Sequence, residues 1–517
     1  MLNNIKKTIL GITTVSALAF CFSSCKKLED FGNTDVRQDA STIPLTNALL
    51  TSALSNLGSS MTGLTSGLRS SLYCQYFAEE QYTEQSLYAT PQVDFSGNYT
   101  GALMDLQKII ELNTSTGTKG TVAVLNGGAN VNQISTARII KAYIYWTITD
   151  RWGDIPYTSA LKGVGSLSPK YDTQESIYKD LLKELKEAGT QLDNTQATVK
   201  GDYFYNGSIA NWKKLANSLR MLIALRMSKV YPNAGDFAAT EFVAAATDAA
   251  GSIAVKAENF TAKYTGENAV ATNPWYATLN GRKDYDISKT FADILSNMSD
   301  PRLAVVGSTG SAMPYGLTRD NAIKFSASVS GSISSPFAAR SKTADVVIVS
   351  AASVLLAQAE AVQMGWWTTA PKSVQQYYED GITESFSQWG VSGAATYIAN
   401  SNVNFATGSG GGTNIGYLAT FPSIVGADAS TITPLKRIQL QRYLASFGDG
   451  IQAWAEWRRT GVPNLKPTAY GTNSPLEIPR RFIYPVTEYA TNTTNVKEAA
   501  TRYTAGDVMN AKIWWDK

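Results

Sequence analysis

The sequence predicts an all-α protein that is built from antiparallel helix pairs. Apolar residues recur at helical spacing from Leu45 to Trp457, and no run of alternating apolar and polar residues interrupts them. One of these helices, predicted over 346–364, is rich in alanine, and such small residues let helices approach one another closely. Together these observations favour stacked helices over a sheet, with strands making only a marginal contribution.

The most apolar predicted helix lies within residues 134–156. One narrow polar stripe steps along it by three or four residues: Arg138, Lys141, Tyr145 and Thr149. Its remaining circumference is mostly apolar, yet charged residues interrupt it too often for a membrane span, so other protein helices should enclose it. Residues 152–154 are predicted to end the helix, because Pro156 disfavours a helical conformation at Ile155.

Five motifs occur in order along the chain. The first is Ala137-Arg138-x-x-Lys141-Ala142-Tyr143-x-Tyr145-x-x-x-Thr149-Asp150-x-Trp152-Gly153-Asp154-Ile155-Pro156-Tyr157. The other four are Asn211-Trp212 with 216–220 (ANSLR), 299–303 (SDPRL), 355–360 (LLAQAE), and 457–461 (WRRTG) followed by 478–481 (IPRR). In this order they resemble the SusD/RagB family of outer-membrane nutrient-binding lipoproteins. The resemblance implies a SusD-like fold of tetratricopeptide-like helix pairs with long loop insertions.

Composition excludes several classes of function. The chain of 517 residues contains no histidine, which removes Ser-His-Asp and Cys-His catalysis, histidine metal sites and histidine pH switches. A net charge of +3 with 17% charged residues provides no basic stripe for a phosphate backbone, so we expect no nucleic acid partner. No phosphate-binding glycine motif is present. We therefore predict no cofactor, no metal and no catalytic residues.

The N-terminus resembles a bacterial lipoprotein signal. Two lysines precede a short apolar segment, and Ser23-Ser24-Cys25 places small residues before a cysteine. We predict a signal peptide at 1–24, lipidation at Cys25 and a tether through residue 44. Cys21 is the rival site, but the bulky Phe20 before it argues against cleavage there. Cys74 is then the single cysteine of the body, which excludes an intrachain disulfide, and we expect it to be buried on a helix.

The first part of the body is predicted to contain helices around an aromatic loop. Leucines recur at helical spacing from Leu45 to Phe77, as one long helix or two abutting ones. Residues 78–100 mix aromatic with polar residues and contain Pro91 and Gly97, which indicates a loop. A helix resumes over 103–112. Asp172, as N-cap with Glu175 three residues later, is predicted to begin a helix. This helix pairs with the most apolar one, within residues 134–156, which we call the central helix.

Two further helix pairs are predicted in the middle of the chain. The first runs over 212–230 and 237–245, and the second over 346–364 and 371–389, with Trp366 and Trp367 filling the turn between its helices. Insertions at 255–340 and 390–435 are too poor in apolar periodicity to form separate domains. We therefore expect a single SusD-like body at 45–517.

The C-terminal part returns to a helix over 438–457. Arg458 and Arg459 follow in its last turn, before Gly461, and Arg480 and Arg481 lie further along. This arginine cluster could bind an anion, or it could pair with Glu456 or Glu488 within the scaffold. We predict scaffold pairing.

The mixture of aromatic and uncharged polar residues in two loops is typical of sugar binding. Sugar rings stack their C–H faces on aromatic side chains, and their hydroxyls require polar partners at the rim. The resemblance implies a ligand surface in these same regions, at 82–99 and 275–315. The predicted ligand-binding residues are Tyr88, Phe95, Tyr99, Trp275, Tyr276, Arg282 and Tyr315. Burial of any one of these aromatics beneath its loop is the alternative.

The function that these features favour is binding without catalysis. The resemblance implies an outer-membrane, lipid-anchored protein that faces the cell exterior, binds an oligosaccharide and delivers it to a SusC-like TonB-dependent transporter. A RagB-like role in peptide binding is the first alternative. A glycoside hydrolase that uses two carboxylates is the second, because such chemistry needs no histidine.

Overall fold

The all-α prediction is confirmed, because helices form most of the regular structure. The computed structural model describes residues 43–60, 66–89, 92–269, 271–279, 284–307, 312–328, 342–406 and 433–517. Leu45–Lys517 form one compact unit. The predicted signal peptide, Cys25, nearly all of the tether, and Arg282 lie outside the described residues.

The longer helices follow one another along the whole described chain. Their bounds are α1 Thr46–Ser60, α2 Ser66–Tyr73, α3 Met104–Thr114, α4 Asn130–Trp152, α5 Gln174–Gln191, α6 Ile209–Arg226, α7 Phe237–Ala246, α8 Lys289–Asn297, α9 Arg319–Ser328, α10 Ala351–Gln363, α11 Val374–Trp389, α12 Pro434–Ala445, α13 Gly450–Thr460 and α14 Thr493–Thr501. Short helical segments are Ser96–Asn98, Tyr99–Leu103 (a π-helical turn), Val122–Leu125, Gly163–Gly165, Lys256–Glu258, Pro274–Leu279, Leu303–Val306, Ala394–Ala399 and Val486–Thr491.

The strands of the described chain form three antiparallel ladders of two strands each. They are β1 Phe77–Glu79, β2 Ile155–Pro156, β3 Tyr171–Asp172, β4 Phe260–Ala262, β5 Tyr285–Ile287 and β6 Val346–Val349. The ladders pair β1 with β5, β2 with β3 and β4 with β6. Each ladder joins segments that are distant in sequence or fastens a long connection, so the strands tie insertions to the helical scaffold.

The central helix α4 is enclosed as predicted. It packs against α3, α5, α6 and α13, and it ends at Trp152, where Gly153 adopts a φ of 83°. Of its polar stripe, Arg138 and Lys141 are half-buried, while Tyr145 and Thr149 are buried. The stripe therefore reaches the surface only along its N-terminal half.

The predicted helix pairs are present and stack on one another. α4 packs against α5, α6 against α7, and α10 against α11, while α5 also contacts α6. Close approach within the last pair requires a glycine, because a Cβ on Gly381 would lie 2.6 Å from the Cγ of Leu356. Trp366 and Trp367 are buried at the turn of this pair as predicted, and the Trp366 indole N–H donates to the Pro232 carbonyl (2.8 Å).

Two predicted helix starts are wrong because strand pairing takes their first residues. Asp172 belongs to β3, and its carboxylate accepts hydrogen bonds from the Tyr157 and Thr158 amides. Thr173 caps α5 instead, accepting from the Ser176 amide. Likewise Val346–Val349, a β-branched run, forms β6 against β4, and α10 begins only after it.

The long helix predicted over 438–457 is divided, whereas the region from Leu45 follows the predicted alternative of two helices. The helix predicted over 438–457 is α12 and α13, because Gly448 turns the chain with a φ of 95° and the Asp449 carboxylate caps α13. The region from Leu45 contains two helices, and it ends in β1 at Phe77. Cys74 is fully buried as predicted, but it follows the last residue of α2.

The C-terminal arginines pair within the scaffold, as predicted. Arg459 forms an ion pair with Glu456 (2.6 Å), and Arg481 pairs with Asp507 (2.5 Å). Arg480 pairs with Asp516, whereas Arg458 stacks 3.9 Å above the Trp454 ring. The prediction of Glu488 as a partner is wrong, because this carboxylate accepts from the Tyr171 hydroxyl (2.6 Å).

A buried ion network surrounds Glu456. Its carboxylate pairs with Arg226 (3.1 Å), Arg442 (2.9 Å) and Arg459, and Glu360 pairs with the last two. Burial alone would raise the pKa of Glu456, but the three guanidinium groups hold it well below its ordinary value. Charge therefore joins α6, α10, α12 and α13 in the core. Among the described residues, no helix has both the length and the hydropathy that crossing a bilayer requires.

Candidate functional site

The two loops predicted to bind ligand meet in the folded chain. β1 precedes the first loop and β5 lies within the second, and their antiparallel ladder aligns Glu79 with Tyr285. The Glu80 amide extends this ladder by donating to the Asp284 carbonyl (2.8 Å). Residues separated by about two hundred positions in sequence are thereby neighbours at one surface.

The loop after β1 is held by a buried carboxylate. Glu79 is 2% exposed, and it accepts a hydrogen bond from the Ser86 amide (2.7 Å). Burial raises the pKa of Glu79 to about 7, although the hydrogen bonds of Ser86 oppose the shift. On the paired strand, burial likewise raises the pKa of Asp286 to about 7. Both acids are buried on the paired strands that bring the two loops together.

Four of the seven predicted ligand-binding residues are covered by the fold. Tyr88 and Tyr315 are each 1% exposed, Phe95 is 2% exposed and Trp275 is 3% exposed. These values favour the packing alternative for their rings.

Specific contacts explain this burial. The Tyr88 ring contacts Tyr73 with a centroid distance of 5.9 Å, and Phe95 meets Trp152 edge-on at 5.4 Å. Trp275 packs against Phe77 at 5.2 Å. Next to Tyr315, the Gly316 carbonyl accepts from the Thr468 hydroxyl (2.5 Å). These residues support the loops from beneath.

The remaining predicted residues differ in their surroundings. Tyr99 is half-buried against the central helix, and its hydroxyl donates to the Pro156 carbonyl (2.7 Å). Tyr276 is half-exposed, with the Lys342 ammonium 5.9 Å from its ring centroid. Arg282 lies outside the described residues. Of the described candidates, Tyr276 therefore has the most accessible ring in the second loop.

An exposed tyrosine occupies the first loop. Tyr82 is 55% exposed, and Tyr470 is 39% exposed on a segment that packs beside the loop, where the Thr472 amide donates to the Leu87 carbonyl (2.9 Å). Neither residue was among the predicted candidates. The sequence feature that distinguishes Tyr82 is its polar neighbourhood. It lies between Glu80-Gln81 and Glu84-Gln85, with no apolar residue next to it.

Hydrogen bonds link three polar side chains through Gln85, which lies three residues after Tyr82 in the same loop. Arg69 on α2 donates from Nε to the Gln85 amide oxygen (3.3 Å) and from Nη1 to the Gln92 carbonyl (2.8 Å). The Gln85 amide nitrogen in turn donates to the Tyr285 hydroxyl (3.3 Å). We name Arg69, Tyr82, Gln85, Tyr285 and Tyr470 the tyrosine surface. It combines aromatic faces with planar hydrogen-bonding groups.

A cleft of about 390 Å³ lies beside Trp275, lined also by Trp389, Asn259 and Asn273. Its amides are used by the fold: Asn259 accepts from the Ala351 amide (2.7 Å), and Asn273 donates to the Ala344 carbonyl (2.6 Å). We therefore assign this cleft a supporting role. In the described parts of the chain, no group of three or more cysteine, aspartate or glutamate side chains is arranged to hold a metal ion.

Comparisons with known proteins agree with this architecture. A family model of SusD-like proteins, described as "Starch-binding associating with outer membrane", matches residues 37–485. No curated protein matches the chain.

Solved structures give the same picture. A SusD homologue from Bacteroides uniformis has a TM-score of 0.71 and 25% identity, covering 91% of this chain and 99% of its own. A SusD homologue from Bacteroides fragilis has a TM-score of 0.72 and 21% identity, covering 91% and 100%. A chitin-binding SusD homologue from Flavobacterium johnsoniae has a TM-score of 0.71 and 22% identity, covering 91% and 98%.

Proposed function

Because the chain belongs to the SusD-like family, we propose that it binds an oligosaccharide at the tyrosine surface and passes it to an outer-membrane transporter. The observation that carries this proposal is the exposed Tyr82 ring in the same loop as Gln85, whose side chain links Arg69 to Tyr285 by hydrogen bonds. An exposed aromatic ring provides a stacking face, and the linked side chains provide donors and acceptors in fixed directions. Sugars require both at once.

Direct binding tests the proposal. An array of glycans and peptides first ranks the ligands. The full chain, purified in detergent, is then titrated with maltoheptaose and with chitohexaose by isothermal titration calorimetry. Replacing Tyr82 by Ala should weaken oligosaccharide binding by roughly 1 kcal/mol or more, about fivefold, with an unchanged melting temperature. Leu167→Ala, which truncates a residue that is 79% exposed on another loop, is the matched control.

Several outcomes would contradict the proposal. Equal binding by Tyr82→Ala and the parent would remove the tyrosine surface as the site. Binding of peptides and of no glycan on the array would replace the oligosaccharide with a peptide ligand. Release of shorter sugars during incubation would show hydrolysis, which the binding function does not include.

We propose in addition that residues 1–24 direct export, that Cys25 carries the lipid anchor and that residues 45–517 form the single body facing the cell exterior. Acyl chains stabilise membrane attachment by about 0.8 kcal/mol for each buried methylene. Replacing Cys25 by Ala should release the protein from the membrane fraction, and the N-terminal peptide of the parent alone should carry the mass of acyl chains. Retention of the variant in the membrane, or a parent peptide without that mass, would contradict the anchor.

The transporter partner is proposed to be a SusC-like TonB-dependent barrel in the same membrane. A tethered body could sit above such a barrel and deliver ligand without catalysis. Affinity purification from native membranes should recover a barrel protein together with this chain. Repeated purification without such a partner would contradict the proposal.

A further inference from the structure

A second cleft, of about 390 Å³, lies over the polar stripe of the central helix. Its floor is α4, with Lys141 and Tyr145 four residues apart and therefore on one face of the helix. α3 and α5 line two sides, and the loop that carries Tyr157 lines another. None of its lining residues belongs to the tyrosine surface.

One buried hydroxyl of this cleft has no partner. Tyr145 is 1% exposed, and its hydroxyl forms no hydrogen bond with the residues that the structure describes. Its ring is fixed by an edge-on contact with Tyr157 (4.7 Å between centroids). Because a buried hydroxyl without a partner is costly, this atom indicates a missing hydrogen-bonding group in the cleft.

The cations of the cleft are not equally neutralised. Arg138 pairs with Glu184 (2.8 Å) and Glu187 (2.6 Å). Lys141 instead donates to the Gln107 amide oxygen (2.8 Å), and it forms no ion pair within the described chain. Burial lowers the pKa of Lys141, and the carboxylates of Glu184, Asp180 and Glu111, which form no ion pair with it, only partly oppose that shift. A ligand carboxylate at hydrogen-bonding distance would supply the ion pair that Lys141 lacks within the described chain.

Acceptors for hydroxyl groups line the opposite side. The Asp180 carboxylate accepts from the Tyr157 hydroxyl (2.7 Å), and Glu184 accepts from Arg138. Each carboxylate has about four lone-pair positions, so both retain capacity for further hydroxyl donors. The Tyr157 ring is half-buried at the edge of the same cleft.

We propose that this cleft binds a hexuronic acid, as a free sugar or as the end of a chain. Its carboxylate pairs with the Lys141 ammonium and accepts from the Tyr145 hydroxyl. Its ring hydroxyls donate to Asp180 and Glu184, and the Tyr157 ring covers one edge. This site is independent of the tyrosine surface, so either one can fail without the other.

A calorimetric titration of the full chain with sodium glucuronate tests the site. Glucose serves as the neutral probe. Glucuronate should bind saturably, and glucose at least tenfold more weakly. Lys141→Met should weaken glucuronate binding at least tenfold, and Tyr145→Phe several-fold. Lys183→Met, which removes a lysine that is 66% exposed on α5, should leave glucuronate binding unchanged.

Three results would overturn the proposal: no saturable binding of glucuronate, equal binding of glucose, or equal binding by Lys141→Met. Thermal melts establish whether each variant is folded. Should Lys141→Met fail to fold, Tyr145→Phe decides the question, because this change removes only one hydroxyl. Unchanged affinity in Tyr145→Phe would then overturn the proposal.

Discussion

Glu79 provides a sharp test of how the loop beneath the tyrosine surface is held. Its side chain is buried, and the pKa of the carboxyl is raised to about 7 by that burial. Replacing Glu79 by Gln keeps an oxygen that can accept from the Ser86 amide and removes the ionisable group. The variant should therefore retain the loop and lose one source of pH dependence.

The sign and size of the effect follow from the raised pKa. The folded state keeps the Glu79 proton over a range in which the unfolded chain, with a pKa near 4.5, has lost it. Stability from this group is therefore fully present below about pH 4.5 and is lost as the pH rises to about 7. At about 1.4 kcal/mol for each pH unit, the parent should lose about 3 kcal/mol relative to Glu79→Gln across this window.

Equilibrium urea unfolding, followed by tryptophan fluorescence, measures the difference at half-unit steps from pH 4 to pH 8. The difference between parent and variant cancels the contributions of Asp286 and Asp449 to the pH dependence, because the pKa values of these groups, also raised to about 7, are shared by both proteins. The free energy of unfolding of the variant should increase relative to that of the parent as the pH rises. If the free energies of unfolding of the two proteins change in parallel with pH, the assignment of a buried, protonated Glu79 is refuted. If their difference grows below pH 4.5 instead, the predicted sign of the effect is wrong.

Three further outcomes are expected. Glu456→Gln removes the charge that neutralises three buried arginines and should lower the free energy of unfolding by about 3 to 5 kcal/mol in urea titrations; stability equal to the parent would contradict the network. Cys74, fully buried and with a pKa that burial raises well above its ordinary value, should resist iodoacetamide until the protein unfolds, as mass spectrometry would show. Trp275→Ala should lower stability by about 3 to 5 kcal/mol in thermal and urea unfolding, whereas a melting temperature equal to the parent's would return Trp275 to the list of ligand contacts.

Local sequence patterns predicted the scaffold well because each depends on neighbouring residues. The period of the central helix, its end at Gly153 and the small residues of α10 are all local properties, and the structure confirms them. The same patterns placed the first predicted ligand loop, 82–99, outside the long helices, whereas the second, 275–315, contains the helix α8. They also indicated that Cys74 is buried.

Long-range pairing decided what local patterns could not. Strand partners far away in sequence took Asp172 and Val346–Val349 from predicted helices, because ladder hydrogen bonds outweigh small differences in local propensity. The β1–β5 ladder brought the two loops together.

The division of the aromatic residues was likewise a matter of tertiary structure. Tyr88 and Tyr82 lie six residues apart in one polar loop, yet the first is 1% exposed and the second 55% exposed. Composition treats them alike, since both are tyrosines among polar neighbours. Which ring meets solvent depends on segments such as 470–472 that fold back over the loop from the far end of the chain, and no local pattern contains that contact.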